Sequence, residues 1–547
     1  MTNQIQPIFI LPEGKSRETG KEAQRTNIMA ARQVADTVRT TLGPRGMDKM
    51  LVSNGSITIT NDGVTILKEM NIEHPSAKMI VEIAKSQEKE AGDGTTTAVV
   101  IAGELLKKAE ELLEMGIHPS IIAKGYRLAT DKAVEILNKL GENVAENDKK
   151  TLLRIAMTAI TGKSAEAAKE ELAEIAVNSV LSVADKENNS FVVDKNNIKI
   201  EKKVGARIEQ SELIKGIILD KERVHADMPR VVSNSKILLA DAAIEIKDTE
   251  TKAKIKIRQP RQIQSFMEQE EKVLKDIVDK IIKTEASVVL CQKGIDDRAQ
   301  HYLAKKGIFA VRRVRRSDLE ALARATQARI VTNFEDLSKE DLGYAGKVEE
   351  IKVGDEEMII VRDCKNAKSV SILLRGATEH VLDEMQRALE DAVGVLASVV
   401  TGSKIVAGAG AVEIEVARQL GRYSESLSGR EQLAAKAMAD AIEVIPVTLA
   451  ENAGLDAIDV LVELKAAHDK GKKWEGVNVF TGKTMDAWKE GILEPLKVKT
   501  QAISSAAEVA IMILRIDDII ASSKPSRAEQ QMARTQGMGS MGMPPMM

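Results

Sequence analysis

Six residues, Gly92-Asp93-Gly94-Thr95-Thr96-Thr97, constrain this chain more than any other stretch. They separate a polar segment, Lys85 to Glu90, from an apolar-periodic run, Ala98 to Met115, in which Val99, Ala102, Leu105, Leu106 and Leu113 recur near helical spacing. The glycines and threonines therefore stand at a helix N-terminus, where backbone N–H groups lack partners and the helix dipole favours anions. Thr hydroxyls add donors, and glycine lets a phosphate approach the backbone. Asp93 alone would repel a phosphate. A divalent cation between them resolves the conflict, and Mg²⁺ held by one or two carboxylates plus phosphate oxygens is the usual arrangement. A plain glycine turn with a Thr N-cap accounts for the same six residues, and they do not exclude it. The Walker A pattern G-x-x-x-x-G-K-[ST] does not occur, so the common P-loop fold is not indicated.

With 547 residues the chain is long enough for several domains with substantial cores. Aromatic residues make up only 2%, so those cores must be built from aliphatic side chains and Met. A net charge of −3 argues against a general nucleic-acid binder. The one basic cluster, Arg312-Arg313-Val314-Arg315-Arg316, has no interleaved aromatics for base stacking and reads as solvated or ion-paired surface. Cys291 and Cys364 are not at metal-ligand spacing, and two thiols in so long a chain fit a reducing compartment. The six histidines are scattered, and no zinc-protease, serine-hydrolase or Cys/His nucleophile pattern is present. Ile8-Phe9-Ile10-Leu11 is too short for a signal peptide and no apolar run reaches membrane-spanning length, so a cytoplasmic protein with no membrane partner is expected.

Along the chain, residues 1 to about 20 read as a polar arm and 21 to about 145 as helices broken by turns. From about 147 to 215 β-branched segments appear, such as Ser190-Phe191-Val192-Val193 and Ile198-Lys199-Ile200. From about 217 to 368 strands and helices alternate. Lys236 to Ala240, Ser287 to Leu290 and Ile308 to Val311 read as buried strands, and Asp296 to Lys305 as a helix. Within this stretch, about 246–275 is a charged insert with dispersed apolar residues, leading into a helical period on Met267, Leu274, Ile277, Val278 and Ile281. A strand from Ser369 to Leu374 precedes a helix from Thr378 to about Val400. The remainder to about 525 is mainly helical. The Gly/Met tail, about 526–547, cannot bury a core and should be disordered.

Two further segments give the six residues a context. One is Arg39-Thr40-Thr41-Leu42-Gly43-Pro44-Arg45-Gly46-Met47-Asp48-Lys49-Met50-Leu51. The other is Ile59-Thr60-Asn61-Asp62-Gly63-Val64-Thr65-Ile66-Leu67. Each on its own is a turn: Gly-Pro breaks a helix, and Asn-Asp-Gly can close a hairpin. In order with Gln87 to Thr95, they resemble the three signatures of the group II chaperonins, and the similarity runs along nearly the whole chain. Later matches include Asp220 to Val224, Cys291 to Asp297, Glu451 to Asp456 and Val498 to Ala502.

The resemblance implies a multidomain α+β chaperonin fold. Its mainly α-helical equatorial domain would combine 1–146 with 403–547, and its small α/β intermediate domain 147–216 with 369–402. Its α/β apical domain would span 217–368 and carry a helical protrusion at about 246–275. It also implies an ATP-dependent chaperone that encloses non-native protein clients in two stacked rings of eight or nine identical or homologous subunits, closed by that protrusion and not by a separate co-chaperonin.

Carried over residue by residue, the resemblance assigns Thr41, Leu42, Gly43 and Pro44 to a nucleotide-contacting loop, Asp93 to Mg²⁺, and Gly94, Thr95, Thr96 and Thr97 to the phosphates of ATP. Asp62 matches a carboxylate near the γ-phosphate. Lys163 and Ser164 match a nucleotide-sensing loop, and Asp391 the carboxylate that positions the attacking water. On helical geometry alone Asp391 falls off the apolar stripe Val381, Met385, Leu389, Ala392 and Leu396, and would be an ordinary exposed acid. Glu494 and Lys499 match positions near the ribose and base. At the second glycine loop the chain departs from the family, with Ala407 and Gly408-Ala409-Gly410 where Pro and three glycines are usual. A methyl group at Ala409 would crowd the ribose or base, or shift the backbone. Two other readings are a Mg-dependent ATPase or kinase acting on a small substrate and a passive holdase or scaffold with a degenerate nucleotide site. Asp62, Asp93 and Asp391 together argue against the holdase.

Overall fold

A computed structural model describes residues 15–53, 56–145, 148–163, 168–187, 190–246, 260–353, 356–365 and 367–522. Ser164, the part of the expected protrusion from 247 to 259 and the Gly/Met tail lie outside the described residues.

The largest body is helical. Helices Gly20–Arg39, Pro75–Ala91, Thr95–Glu114 and Pro119–Leu140 pack with Ala411–Ser426, Glu431–Ile442 and Leu496–Leu514. One buried core draws residues from 28–140 and from 406–514, and it is built of Ala, Val, Ile and Leu as the scarcity of aromatics requires. Tyr126, buried within it, donates its hydroxyl to the Leu105 carbonyl at 2.7 Å. Two of the histidines are structural: His74 and His118 each accept the N–H two residues on, at 3.2 Å, before a proline that opens a helix. The two ends of the described chain meet here, strand Lys15–Thr19 pairing antiparallel with Asp518–Ser522.

The Asn-Asp-Gly segment does not close a hairpin. The hairpin formed by Lys49–Ser53 and Ser56–Thr60 turns before it. Asp62 instead caps the helix Gly63–Glu69, its Oδ2 accepting from the Thr65 N–H at 2.9 Å and the Thr65 hydroxyl at 2.7 Å. A carboxylate satisfies an orphan N–H at a helix start, and here that pull sets the turn's role.

The α/β alternation between 217 and 368 is borne out. Strands Val231–Ala240, Val288–Cys291, Phe309–Val311 and Ile330–Val331 run parallel, connected through helices Pro260–Lys283, Asp297–Lys305 and Arg316–Thr326. Gly343–Val353, Glu356–Arg362 and Ile217–Leu219 extend the sheet antiparallel. Both faces are covered: Ile237, Leu239, Val288 and Leu290 enter one core, and Leu238, Ala240, Val289 and Cys291 the other. Leu274, Val278 and Ile281 of Pro260–Lys283 are buried as the helical period required.

Between these bodies a three-stranded sheet, with Val370–Gly376 flanked by Ile198–Val204 and Glu212–Ile214, lies near a bundle of helices Lys149–Ile160, Lys169–Val183 and Glu379–Gly402. The whole is a helix-rich multidomain α+β fold.

Candidate active site

A cavity of about 510 Å³ opens where the helical body meets Lys149–Ile160 and Glu379–Gly402. Its walls come from both ends of the chain. Thr41 to Pro44, Asp62, Asp93 to Thr97 and Lys163 come from the earlier part of the sequence, and Asp391, Ala409, Gly410, Glu494 and Lys499 from the later part. Every described residue assigned from the sequence is on this wall.

At one end stands the start of helix Thr95–Glu114. Its N-cap, Gly94, offers no side chain, and among the described residues the N–H groups of Thr95, Thr96 and Thr97 have no acceptor. Buried Gln87 holds the preceding turn, its amide donating to the Asp93 carbonyl at 2.8 Å and the Val498 carbonyl at 3.1 Å. Thus the Gln87–Thr95 signature is tied to the helix Leu496–Leu514. Gly92 and Gly394 meet backbone to backbone, and a Cβ on Gly92 would lie 2.7 Å from Gly394 Cα. That close approach brings the middle of Glu379–Gly402, and so Asp391, to the Asp93 turn.

Asp391 accepts a hydrogen bond from Lys163 Nζ. Among the described residues Lys163 is the only cation paired with it, and Asp93 and Asp62 act on the same pair. Burial and the neighbouring carboxylates push the Asp391 carboxyl above the ordinary range, against the pull of Lys163. Burial works against the lysine's charge, but Asp391, Asp93 and Asp62 outweigh it and raise its pKa. Asn61 Nδ2 ties the Lys163 turn to the Asp62 turn by donating to the Gly162 carbonyl at 2.8 Å. Asp62 Oδ1 has no protein partner among the described residues.

Lys499 is placed differently from a simple ligand. Its side chain is buried, with Nζ 2.9 Å from Glu413 Oε1 and 2.6 Å from Glu494 Oε2. Burial opposes its charge, and the two carboxylates hold it cationic. Lys499 therefore acts on the cavity through Glu494. Sequence reasoning missed Glu413, the buried end of this triad, because an acid in a helix otherwise reads as exposed.

Ala409 takes the left-handed φ of 56°, a conformation costing a non-glycine residue roughly 1–2 kcal/mol. Its carbonyl accepts from the Val477 N–H at 2.9 Å, and it packs against the small cluster of Ala407, Ala411 and Ala487. The chain thus keeps a glycine-like backbone at this loop despite the methyl group.

Arg154, Met157, Thr158, Lys169, Phe480, Met485 and Ile492 also line the cavity and were not found from the sequence. Only Phe480 carried a signal: one of six phenylalanines, set in a polar Asn-Val-Phe-Thr-Gly turn. The basic cluster at 312–316 lies elsewhere and is partly ion-paired, Arg316 to Asp241 and Glu320, Arg312 to Asp297. Both cysteines are buried free thiols, pushed up by burial to about 11 for Cys291 and about 12 for Cys364.

An open cavity with an uncapped helix start, a cluster of carboxylates facing a lysine, and apolar lining residues Val479, Phe480 and Met485 suits a nucleotide with its phosphates at the helix. Comparison with known proteins identifies the family. The sequence profile of the TCP-1/cpn60 chaperonin family matches residues 34–524. A thermosome subunit of Methanopyrus kandleri is 59% identical over 521 residues, covering 95% of this chain and 96% of that one. A thermosome subunit beta of Archaeoglobus fulgidus is 59% identical over 546 residues, covering 100% and 99%. Among solved structures, the open-state monomer of a group II chaperonin from Methanococcoides burtonii is 46% identical with a TM-score of 0.58, covering 78% of this chain and 100% of that one.

Proposed function

Because the chain belongs to the TCP-1/cpn60 chaperonin family, in its group II branch, we propose that the cavity described above is where it binds and hydrolyses ATP. The protein is an ATP-dependent chaperone, an ATPase coupled to protein folding, that acts on client proteins in rings of homologous subunits. The observation that carries the site assignment is the uncapped Thr95–Thr97 helix start facing Asp62, Asp93, Asp391 and Lys163 in one cavity.

The donor set fits Mg²⁺. Asp62, Asp93 and Asp391 against Lys163 leave an excess of negative charge, and Asp62 Oδ1 is free of protein partners among the described residues. Among the described residues no three ligating side chains converge into a closed cage, so Asp93, with Asp62 near it, would hold the ion and phosphate oxygens would complete its shell. When bound, the ion neutralises charge on the phosphates. The protein's own groups supply the rest. The N–H groups of Thr95, Thr96 and Thr97 bind phosphate oxygens. Lys163, now paired with Asp391, turns toward the γ-phosphate and releases the carboxylate. Asp391 then orients a water and accepts its proton as the oxygen attacks phosphorus. The bond from Pγ to the bridging oxygen breaks, and ADP departs with that oxygen.

Asp93→Ala should weaken Mg·ATP binding and hydrolysis together, by at least the roughly 10–100-fold that loss of an outer-shell metal partner costs. Titration with nucleotide at fixed Mg²⁺ measures it. A loss no larger than that of Glu104→Ala, a polar residue of the neighbouring helix Thr95–Glu114, would sink the metal assignment.

The domain division proposed is 1–146 with 403–547, 147–216 with 369–402, and 217–368. The core shared by 28–140 and 406–514 supports the first pairing. The protrusion at 246–275 would serve as the lid, in rings of eight or nine subunits without a separate co-chaperonin, in the cytoplasm. No helix among the described residues is long and apolar enough to cross a membrane. The hairpin Lys49–Ser53/Ser56–Thr60 exposes Met50, Val52, Ile57 and Ile59, a surface that a neighbouring subunit would cover. Deleting 247–272 and bridging the gap with a short Gly/Ser linker should leave rings that hydrolyse ATP, since the cavity residues lie outside the excised stretch. Those rings should not shield a bound client from protease in ATP with a transition-state mimic. Full protection would show that this segment is not the lid.

A further inference from the structure

The cavity mouth carries a contact that neither the signatures nor the chemistry requires. Arg45 is the residue after Pro44, and its guanidinium carbon lies 5.1 Å from the centre of the Phe480 ring. Pro44 and Phe480 both line the cavity, and Arg45 and Phe480 are 435 positions apart in sequence. Both ends are firmly based. Asn452 Nδ2 donates to the Arg39 and Leu42 carbonyls at 3.1 and 2.9 Å, pinning the root of the Arg45 loop. Asn478 Oδ1 accepts the Phe480 and Thr481 N–H groups at 3.1 Å each, fixing the turn that presents the ring.

Neither side chain has another evident task. Phe480 is 62% exposed, an unusual place for one of only six phenylalanines, and it is more exposed than its lining neighbour Val479. Arg45 is exposed and has no acidic partner among the described residues. A guanidinium over an aromatic face is attracted by the ring's quadrupole, and where exposed the contact is weak enough to break and reform rapidly.

We propose that Arg45 and Phe480 form a clasp across the cavity mouth that governs how fast a purine nucleotide enters and leaves. The inference rests on the nucleotide site proposed above. A clasp differs from an ordinary ligand contact in its kinetics. Losing a ligand contact raises the dissociation rate and leaves association nearly unchanged. Losing a clasp raises both, because the path is the same in each direction.

Stopped-flow binding and chase of a fluorescent N-methylanthraniloyl-ADP tests this on the assembled protein. Arg45→Gln and Phe480→Leu should each speed both association and dissociation by roughly two- to fivefold, the range that an exposed cation–π contact supports. The double variant should be no faster than the faster single one, because the contact can be lost only once. Single-variant effects that multiply in the double variant, or that change dissociation alone, would overturn the clasp. Asp93→Ala separates the two readings. If Asp93→Ala binds the analogue as tightly as wild type, the nucleotide site itself is misplaced and the clasp falls with it. If Asp93→Ala loses the analogue while Arg45→Gln exchanges at the wild-type rate, the site stands and only the clasp fails.

Discussion

Asp391→Ala should bind ATP and hydrolyse it roughly 10²–10⁴-fold more slowly, the range contributed by a positioned proton acceptor. The substitution removes the carboxylate that Lys163 holds and leaves the helix start proposed to bind phosphate untouched. Lys163 keeps Asp93 and Asp62 as nearby anions, so the local charge balance does not collapse. Binding and chemistry must be read separately: nucleotide affinity by titration, hydrolysis by single turnover with enzyme in excess, so that product release does not mask the step. A variant hydrolysing within about threefold of wild type would remove Asp391 from the role, because no positioned base is worth so little. Loss of affinity equal to the loss of rate would instead make it a binding residue.

Lys499→Met should be the most destabilising single change near the cavity. It removes the one cation between Glu413 and Glu494 while matching much of the lysine's volume. Glu413 is almost fully buried and has no other cationic partner among the described residues. Breaking a buried ion pair from one side strands the other charge and costs about 3–5 kcal/mol. The unfolding midpoint in denaturant should fall accordingly, compared at one protein concentration because subunit association contributes to apparent stability. Adding Glu413→Gln to that background should recover part of the loss, since the stranded charge is then gone. An unchanged midpoint for Lys499→Met would mean that water or a rearrangement already satisfies both acids.

The legibility of the fold and site from sequence divides along physical lines. Local signals were reliable. The helix at Thr95, the alternation from 217 to 368 and the buried stripe of Glu379–Gly402 arise from hydrophobic period and turn chemistry, which depend on neighbours in the chain. Asn61-Asp62-Gly63 misled because a short polar turn suits both a hairpin and a helix cap. The apolar helical run Val64, Ile66 and Leu67 decides for the cap. Asp391 could not be recognised from periodicity, since its significance lies in Lys163, 228 residues away. Glu413 was invisible for the same reason, and Phe480 stood out only as a rare aromatic in a polar turn. Only tertiary packing buries an acid between helices or sets a phenylalanine on a cavity rim.

The core that joins residues 28–140 to 406–514 has a consequence for how the chain is made. Helices Thr95–Glu114 and Pro119–Leu140 leave the ribosome early. Leu496–Leu514, which supplies Ala502, Ile503, Ala506 and Ala510 to the same core, begins 356 residues after Leu140 (496 − 140). At ~5–20 residues per second that delay is roughly 20–70 s. For that time one half of the core is a set of apolar helix faces with nothing to cover them. A nascent subunit is thus itself a non-native chain with exposed hydrophobic surface, and its own synthesis creates a need for the help that the finished ring provides to others.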